Sequence, residues 1–342
     1  MMKLTKAKYF LIPAMLCIIG IVGIGYYYFF TSFSEMQETT YVYIDNDDTA
    51  DSVYAKLQPL TSESALTGFR TLARHYDYGN HIRTGRYAIT PGTNTVEVFR
   101  GIRNGQQEPI MLTIPETRTM EQLASRLAPK LMIDSTTIIH ALTDQAVCQN
   151  LGYDTCTISC IFVPNTYEVY WNSSIERFME RMAREHDNFW NEERRQKAKA
   201  TGLTPNEVCT LASIIDEETG NNAEKPMVAG MYLNRLNIGM PLQADPTVKF
   251  AMKNFGLRRI YHAHLEYDSP FNTYRYAGLP PGPIKIASIQ GIDAVLNHAK
   301  HNYLYMCAKE DFSGTHNFAV TYNEHLRNAE RYAKALNQRG IK

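Results

Sequence analysis

The 342-residue chain carries no net charge, because 35 lysines and arginines offset 35 aspartates and glutamates. Recognition of nucleic acid through its phosphates normally needs a basic excess, so that class of partner is set aside. Cysteine is scarce, with six in all, too few for a disulfide-held scaffold. No Walker-type phosphate loop, G-x-G-x-x-G turn or G-x-S-x-G elbow occurs. His262 and His264 stand two apart with no H-E-x-x-H helix, which argues against a zinc peptidase. His298, His301, His316 and His325 are scattered and read as surface or core histidines, so no metal and no cofactor is implied. Low-complexity tracts and repeats of solenoid length are also missing. The chain is 44% hydrophobic and 11% aromatic, which suffices for a sizeable core spread over more than one domain.

Charge is also locally absent. Lys3, Lys6 and Lys8 precede Tyr9–Phe30, a run of 22 uncharged residues, and the next charge is Glu35. A bilayer is spanned by roughly 20 apolar residues, and Tyr26, Tyr27 and Tyr28 suit an interfacial aromatic belt. With lysines before the run and Glu35 and Glu38 after it, the sequence predicts a single-pass anchor at the cell (inner) membrane. Its N-terminus lies in the cytoplasm and the remaining chain in the periplasmic or extracytoplasmic space. A cleaved signal peptide would end in small residues, whereas the segment leading out of this run is aromatic. Leu16 before Cys17 is bulkier than a lipid-anchor processing site usually accepts. In such an oxidising compartment Cys148, Cys156 and Cys160 offer one bridge among them, while Cys209 and Cys307 read as small buried hydrophobes.

Beyond a polar stalk at residues 31–40, the pattern is α+β. Tyr41–Ile44 alternates like a strand, Asp45–Asp48 reads as a turn, and Thr49–Leu60 and residues 61–78 have helical spacing. Gly85–Thr90 reads as a strand and Thr95–Asn104 as a helix that Gly105 closes. Ile110–Ile114 and Thr119–Leu127 repeat the strand, turn and helix order, and these β-turn-α units resemble LysM-like carbohydrate-binding modules. Residues 173–201 are expected to form one long, charged, amphipathic helix closed by Gly202.

Thr204-Pro-Asn-Glu207 is a capping box with proline at the first helical position, so a helix starts here. At 100° per residue, with Leu211 at zero, Val208, Ile214 and Ile215 fall within about 60° of it. Glu218 falls at about −20°, in the middle of that apolar stripe, whereas Asp216 (about 140°) and Glu217 (about −120°) face away. A glutamate so placed is costly when charged; its pKa rises and it can hold a proton near neutral pH, as a general acid must. Two loops follow. Met240–Thr247 offers Gln243, Asp245 and Thr247, and Ser269–Tyr274 offers Asn272 and Tyr274, side chains suited to neutral hydrogen bonds and stacking with sugars. Gly278-Leu-Pro-Pro-Gly-Pro283 is a rigid connection.

These residues carry a resemblance. Leu211-Ala-Ser-Ile-Ile-Asp-Glu-Glu-Thr219 resembles the L-A-S-I-[IV]-E-K-E-T helix of the MltG (YceG-like) endolytic murein transglycosylases. Asn234–Val248, Phe271–Tyr274 with Gly278–Ile284, Phe162–Tyr167, and His316–Phe318 with Thr321, His325 and Asn328 are similar to that family's further motifs. Asp216 stands where the family usually has Glu, and Glu217 where it often has Lys, which makes the surroundings of Glu218 more acidic. The resemblance implies a lytic transglycosylase, a carbon-oxygen lyase acting on polysaccharides. It would cleave the bond between N-acetylmuramic acid and N-acetylglucosamine in nascent peptidoglycan strands and leave a 1,6-anhydro end. By position its catalytic glutamate would be Glu218, and the loop residues Gln243, Asp245, Thr247, Asn272 and Tyr274 are expected to bind the substrate. Expected segments are a tail at 1–8, the anchor at 9–30, a membrane-proximal α/β module at 31–105, a LysM-like module at 106–161 and a mixed α+β catalytic domain at 162–342. Partners would be glycan strands and peptidoglycan synthases of the penicillin-binding class. The rival reading is a membrane-anchored glycan-binding scaffold that recruits such synthases without turnover.

Overall fold

The structure, a computed structural model, describes residues 2–257 and 259–340. It is mixed α+β and divides into two compact units, Met1–Met111 with Glu168–Ser173, and Leu112–Tyr167 with Ser174–Lys342. The uncharged run lies in α1 (Met2–Phe29), which carries Pro13 internally. Its stretch Leu11–Phe29 has a mean hydropathy of 1.9 and contains no buried residue, long and apolar enough to cross a bilayer. The C-terminal end of this same stretch meets protein. A Cβ added to Gly68 would stand 2.3 Å from the Tyr28 carbonyl oxygen, so only glycine permits that approach.

In the first unit, β1 (Thr40–Ile44) pairs antiparallel with β2 (Gly85–Ile89), Val42 opposite Tyr87. Between them lie α2 (Ala50–Leu57) and α3 (Glu63–His75), and α4 (Thr95–Asn104) follows. The alternation in β1 buries Val42 and Ile44, which join Val53, Leu57, Leu66 and Phe69 in one apolar core. Reciprocal capping boxes at Thr49/Ser52 and Asn94/Glu97 fix the helix starts, and Gly105 in the left-handed region closes α4 as expected.

A similar order follows with three helices between its strands: β3 (Ile110–Thr113), α5 (Met120–Leu127), α6 (Ser135–Thr143), the short α7 (Gln145–Asn150) and β4 (Thr166–Val169), which pairs with β3. This second segment closes with β4, which ends at Val169. Residues 173–201 are not one helix. Trp190, 1% exposed, turns the chain into the core, and Asn191 starts a new helix by capping Arg194 N–H. The pieces are α8 (Ile175–Phe189) and α9 (Glu192–Thr201). Next come α10 (Pro205–Glu218), α11 (Lys225–Asn237), α12 (Asp245–Ala251), the short α13 (His262–Leu265) and α14 (Ile289–Leu296). A hairpin of β5 (Tyr305–Ala308) and β6 (His316–Ala319) and the exposed α15 (Tyr322–Gln338) end the fold. The cysteines are free thiols, and Cys160 lies against Cys209 of α10 rather than within the 148–160 cluster.

Candidate active site

Helix α10 starts where its sequence dictates. Thr204 N–H donates to Glu207 Oε2 at 2.7 Å, Glu207 N–H returns to Thr204 Oγ1 at 3.3 Å, and Pro205 occupies the first turn. From Val208 to Ile215 every residue is buried, so α10 is an interior helix rather than one with a single apolar face. Ser213, with no exposed surface, donates to Thr210 O and accepts Ile284 N–H at 3.0 Å, tying the proline-rich connection to the helix.

The two carboxylates that face away from the apolar stripe both find cations, which corrects the expectation of more acidic surroundings for Glu218. Asp216 does not face solvent. Its side chain is 2% exposed, takes the Lys225 ammonium at 2.7 Å, and accepts both the N–H and hydroxyl of Ser288 at 2.7 Å. Gly291 makes room for it, since a Cβ there would fall 2.6 Å from Asp216 Oδ1. Glu217 accepts Arg118 Nη2 at 2.8 Å and Nε at 3.1 Å, with Lys285 at 3.8 Å. Neither neighbour is therefore a bare negative charge beside Glu218. Glu218 stays partly accessible, and among the described residues its carboxylate has no ion-pair partner; it accepts the Tyr232 hydroxyl at 3.0 Å. Burial pushes its pKa from 4.5 up to about 7, and the charge of Asp245 acts in the same direction. The Tyr232 hydrogen bond and the charges of Arg235 and Lys249 oppose this. A carboxyl poised there is protonated in about half the molecules near neutrality and can both give and take a proton.

The two loops supply a second group beside it. Tyr274 donates its hydroxyl to Asp245 Oδ1 at 2.6 Å, and burial with the nearby carboxylates pushes that phenol well above its usual range. Gln243 is exposed and holds φ at +52°, a left-handed geometry uncommon for a non-glycine residue; its N–H donates to Thr273 O at 3.1 Å. Thr247 and Asn272 are fully buried. Thr247 Oγ1 donates to Ala244 O and meets Thr273 Oγ1 at 2.9 Å. Asn272 Nδ2 donates to Leu265 O and Tyr267 O at 2.9 and 2.8 Å. The fold thus brings Glu218, Asp245 and Tyr274 into one electrostatic neighbourhood, with Gln243 two residues from Asp245, while Thr247 and Asn272 hold the loops from within. Among the described residues no group of His, Cys, Asp and Glu is placed to hold a metal ion.

Comparison with known proteins gives this arrangement its place. Residues 42–331 match the profile of the YceG-like family. The chain belongs to the YceG-like family. It is 28% identical over 280 residues to the endolytic murein transglycosylase of Bacillus subtilis strain 168, covering 77% of each chain. It is 26% identical over 300 residues to the endolytic murein transglycosylase of Streptococcus pneumoniae serotype 2 strain D39. That alignment takes in 79% of this chain but 54% of the pneumococcal protein, so the chain spans about half of that relative's length. The crystal structure of a YceG-like protein from Listeria monocytogenes superposes with a TM-score of 0.55 at 25% identity, covering 85% of this chain and 99% of that one.

In this YceG-like chain the groups that sequence reasoning missed are those that build the surroundings of Glu218. Tyr232 is fully buried against it; the signal was a tyrosine two residues before the Asn234-Arg-Leu motif. Arg235, 7% exposed, donates to Leu304 O and Leu242 O, both at 2.6 Å, and so places a cation near the acid while its donors hold two backbone segments. Glu224, also buried, takes Thr219 Oγ1 at 3.1 Å and both His316 N–H and His316 Nδ1 at 2.6 and 2.9 Å. That explains the His-Asn-Phe motif of β6 as a clamp on the end of α10 rather than a reacting group.

Proposed function

We propose that the chain is an endolytic murein transglycosylase that cleaves between N-acetylmuramic acid and N-acetylglucosamine and leaves a 1,6-anhydro-muramic end. The observation that carries this is Glu218, a desolvated carboxyl poised at about 7 and steered by a single tyrosine hydroxyl. Protonated Glu218 gives its proton to the glycosidic oxygen as the bond from the muramic C1 to that oxygen breaks. The muramic C6 hydroxyl then closes onto C1, and its proton returns to Glu218. No water and no second catalytic carboxylate enter, which suits a site where Asp216 and Glu217 are both committed to cations. Asp245 and Tyr274, with Gln243, face the sugars; Thr247 and Asn272 position the loops that present them.

The relatives named endolytic murein transglycosylase support the substrate class. The apolar α1 supports a single-pass anchor at the cell membrane with the catalytic segment outside the cytoplasm, where strands emerge from their synthases. The β-α-α-β order over Thr40–Ile89, with its antiparallel strand pair, supports a LysM-like glycan-binding role. Polymeric peptidoglycan incubated with the protein and with Glu218→Gln tests the reading by mass spectrometry. Internal fragments with 1,6-anhydro ends, absent with the variant, are expected. Reducing ends would instead make it a hydrolase and turn attention to Asp245. Strands of unchanged length, from folded protein, would leave only the scaffold role.

A further inference from the structure

A cleft of about 420 Å³ in the second unit has no part in the mechanism above. Three aromatic rings line it: Phe250 packs 4.9 Å from Phe271 and 6.3 Å from Phe255, centroid to centroid. Arg118 lies 5.4 Å over the Phe255 ring. Through Arg118, Phe250 and Phe255 the cleft continues into a smaller one walled by Glu217, Pro246 and Lys249. Glu217 directly precedes the catalytic acid, and Lys249 is one of the charges that act on it. The combined walls carry Arg118, Lys249, Lys253 and Lys285 against Glu121 and Glu217, an excess of cations in a chain with no net charge.

These cations are not equivalent. Arg118 is committed to Glu217, and Lys285 to Glu116 at 2.9 Å. Among the described residues Lys249 and Lys253 have no ion-pair partner, and Lys253 is exposed. Lys253 also holds φ at +50°, just past the end of α12, where its N–H donates to Phe250 O. That left-handed position ordinarily selects glycine or asparagine, so a lysine there is retained at some cost to the backbone. Rings to cover small apolar groups, free ammonium groups and a path leading away from the acid suit a short peptide with carboxylates. A murein strand carries such a peptide on the lactyl group of every muramic residue, next to the bond that is cut.

We infer that this cleft is a subsite for the stem peptide of the muramic residue at the cleavage point, with Lys253 and Lys249 meeting its carboxylates and Phe250, Phe255 and Phe271 its apolar side chains. The inference rests on the murein reading of the active site and adds that the protein distinguishes peptide-bearing from naked glycan. The test uses the full chain in detergent, with uncrosslinked strands either intact or stripped of peptides by an amidase. Formation of 1,6-anhydro ends is followed on both. The wild type cuts the peptide-bearing strands faster by about tenfold, and Lys253→Glu brings that ratio close to one. Lys253→Gly does the same while relieving the left-handed backbone, so a lost preference cannot be blamed on unfolding. Binding of both strands to Glu218→Gln is measured in parallel. Equal rates and equal binding in the wild type and Glu218→Gln backgrounds, or a ratio that survives both Lys253 substitutions, would overturn the subsite. Preferential binding of intact strands without any cleavage would support the subsite and overturn the transglycosylase.

Discussion

The two units bury different things. Among the described residues, the first unit encloses an apolar core around Phe69, Tyr78 and Phe99, and its buried polar side chains, Ser34 and Thr95, are uncharged. Its main ion pairs join Lys56, about a third exposed, to Asp45 and to Asp48, whose side chain is 4% exposed, so in the second pair only the cation reaches solvent. The second unit buries Glu224, Lys225 and Arg235 and nearly hides Asp216. Each of these finds a partner, and near them stands Glu218, whose carboxylate among the described residues takes the Tyr232 hydroxyl and no cation. Paired interior charges cost desolvation and are weak evidence for stability. Their concentration around one carboxyl instead reads as a rigid frame that fixes the acid without neutralising it.

That contrast can be broken most severely at the acid. Glu218→Gln is expected to lower turnover by about a thousandfold, within the range for a lost general acid, while urea unfolding stays at least as stable as in the wild type. The pH dependence of stability supplies its signature. Glu218 is raised from 4.5 to about 7, so its contribution is fully present below the unfolded value and is lost as pH climbs through the folded one. The wild type therefore weakens between those values and the glutamine variant does so less. Next comes Lys225→Met, which strands Asp216 in the interior and should cost about 3–5 kcal/mol in denaturant titration. The corresponding change in the first unit, Lys56→Met, should cost less, about 1–2 kcal/mol, because Lys56 is a third exposed and Asp48 keeps the Ser52 hydroxyl and the Asp45 N–H. Equal costs would erase the distinction between the units. Gly68→Ala should destabilise the first unit by about 1–3 kcal/mol, because its Cβ meets the Tyr28 carbonyl and cannot be relieved by a side-chain rotation. Smallest is Tyr232→Phe, which removes the hydrogen bond that lowers the Glu218 pKa. The alkaline limb of the rate profile should move up by about one unit; a shift downward would mean that the hydroxyl instead favours the neutral acid.

Much of this was legible beforehand where the cause is local. The capping box at Thr204, the strand alternation at Val42 and Ile44, the stop at Gly105 and the uncharged α1 follow from side chains acting within a turn or two of themselves. The wheel singled out Glu218 because it stood among Leu211, Ile214 and Ile215. It could not show that Asp216 is buried as well, because a wheel assumes one buried face, whereas α10 is packed on all of them. The break at Trp190 was invisible for a similar reason: the charged stretch is helical by propensity on both sides, and only the buried indole turns the chain.

The loops divide along the same line. Asparagine, threonine and tyrosine in Ser269–Tyr274 advertise hydrogen bonding, and composition cannot say to what. Asn272 spends its amide on Leu265 and Tyr267 inside the fold, while Tyr274 reaches Asp245. The sequence alone determined the apolar run of α1, the helix starts, the strand faces and the one acid among apolar neighbours, since each is set by residues close together in the chain. Only the tertiary structure decided which carboxylates are neutralised and which is left to titrate. Those pairings join Asp216 to Ser288, Glu217 to Arg118 and Glu224 to His316, and long-range pairs of this kind exist only once the chain has folded.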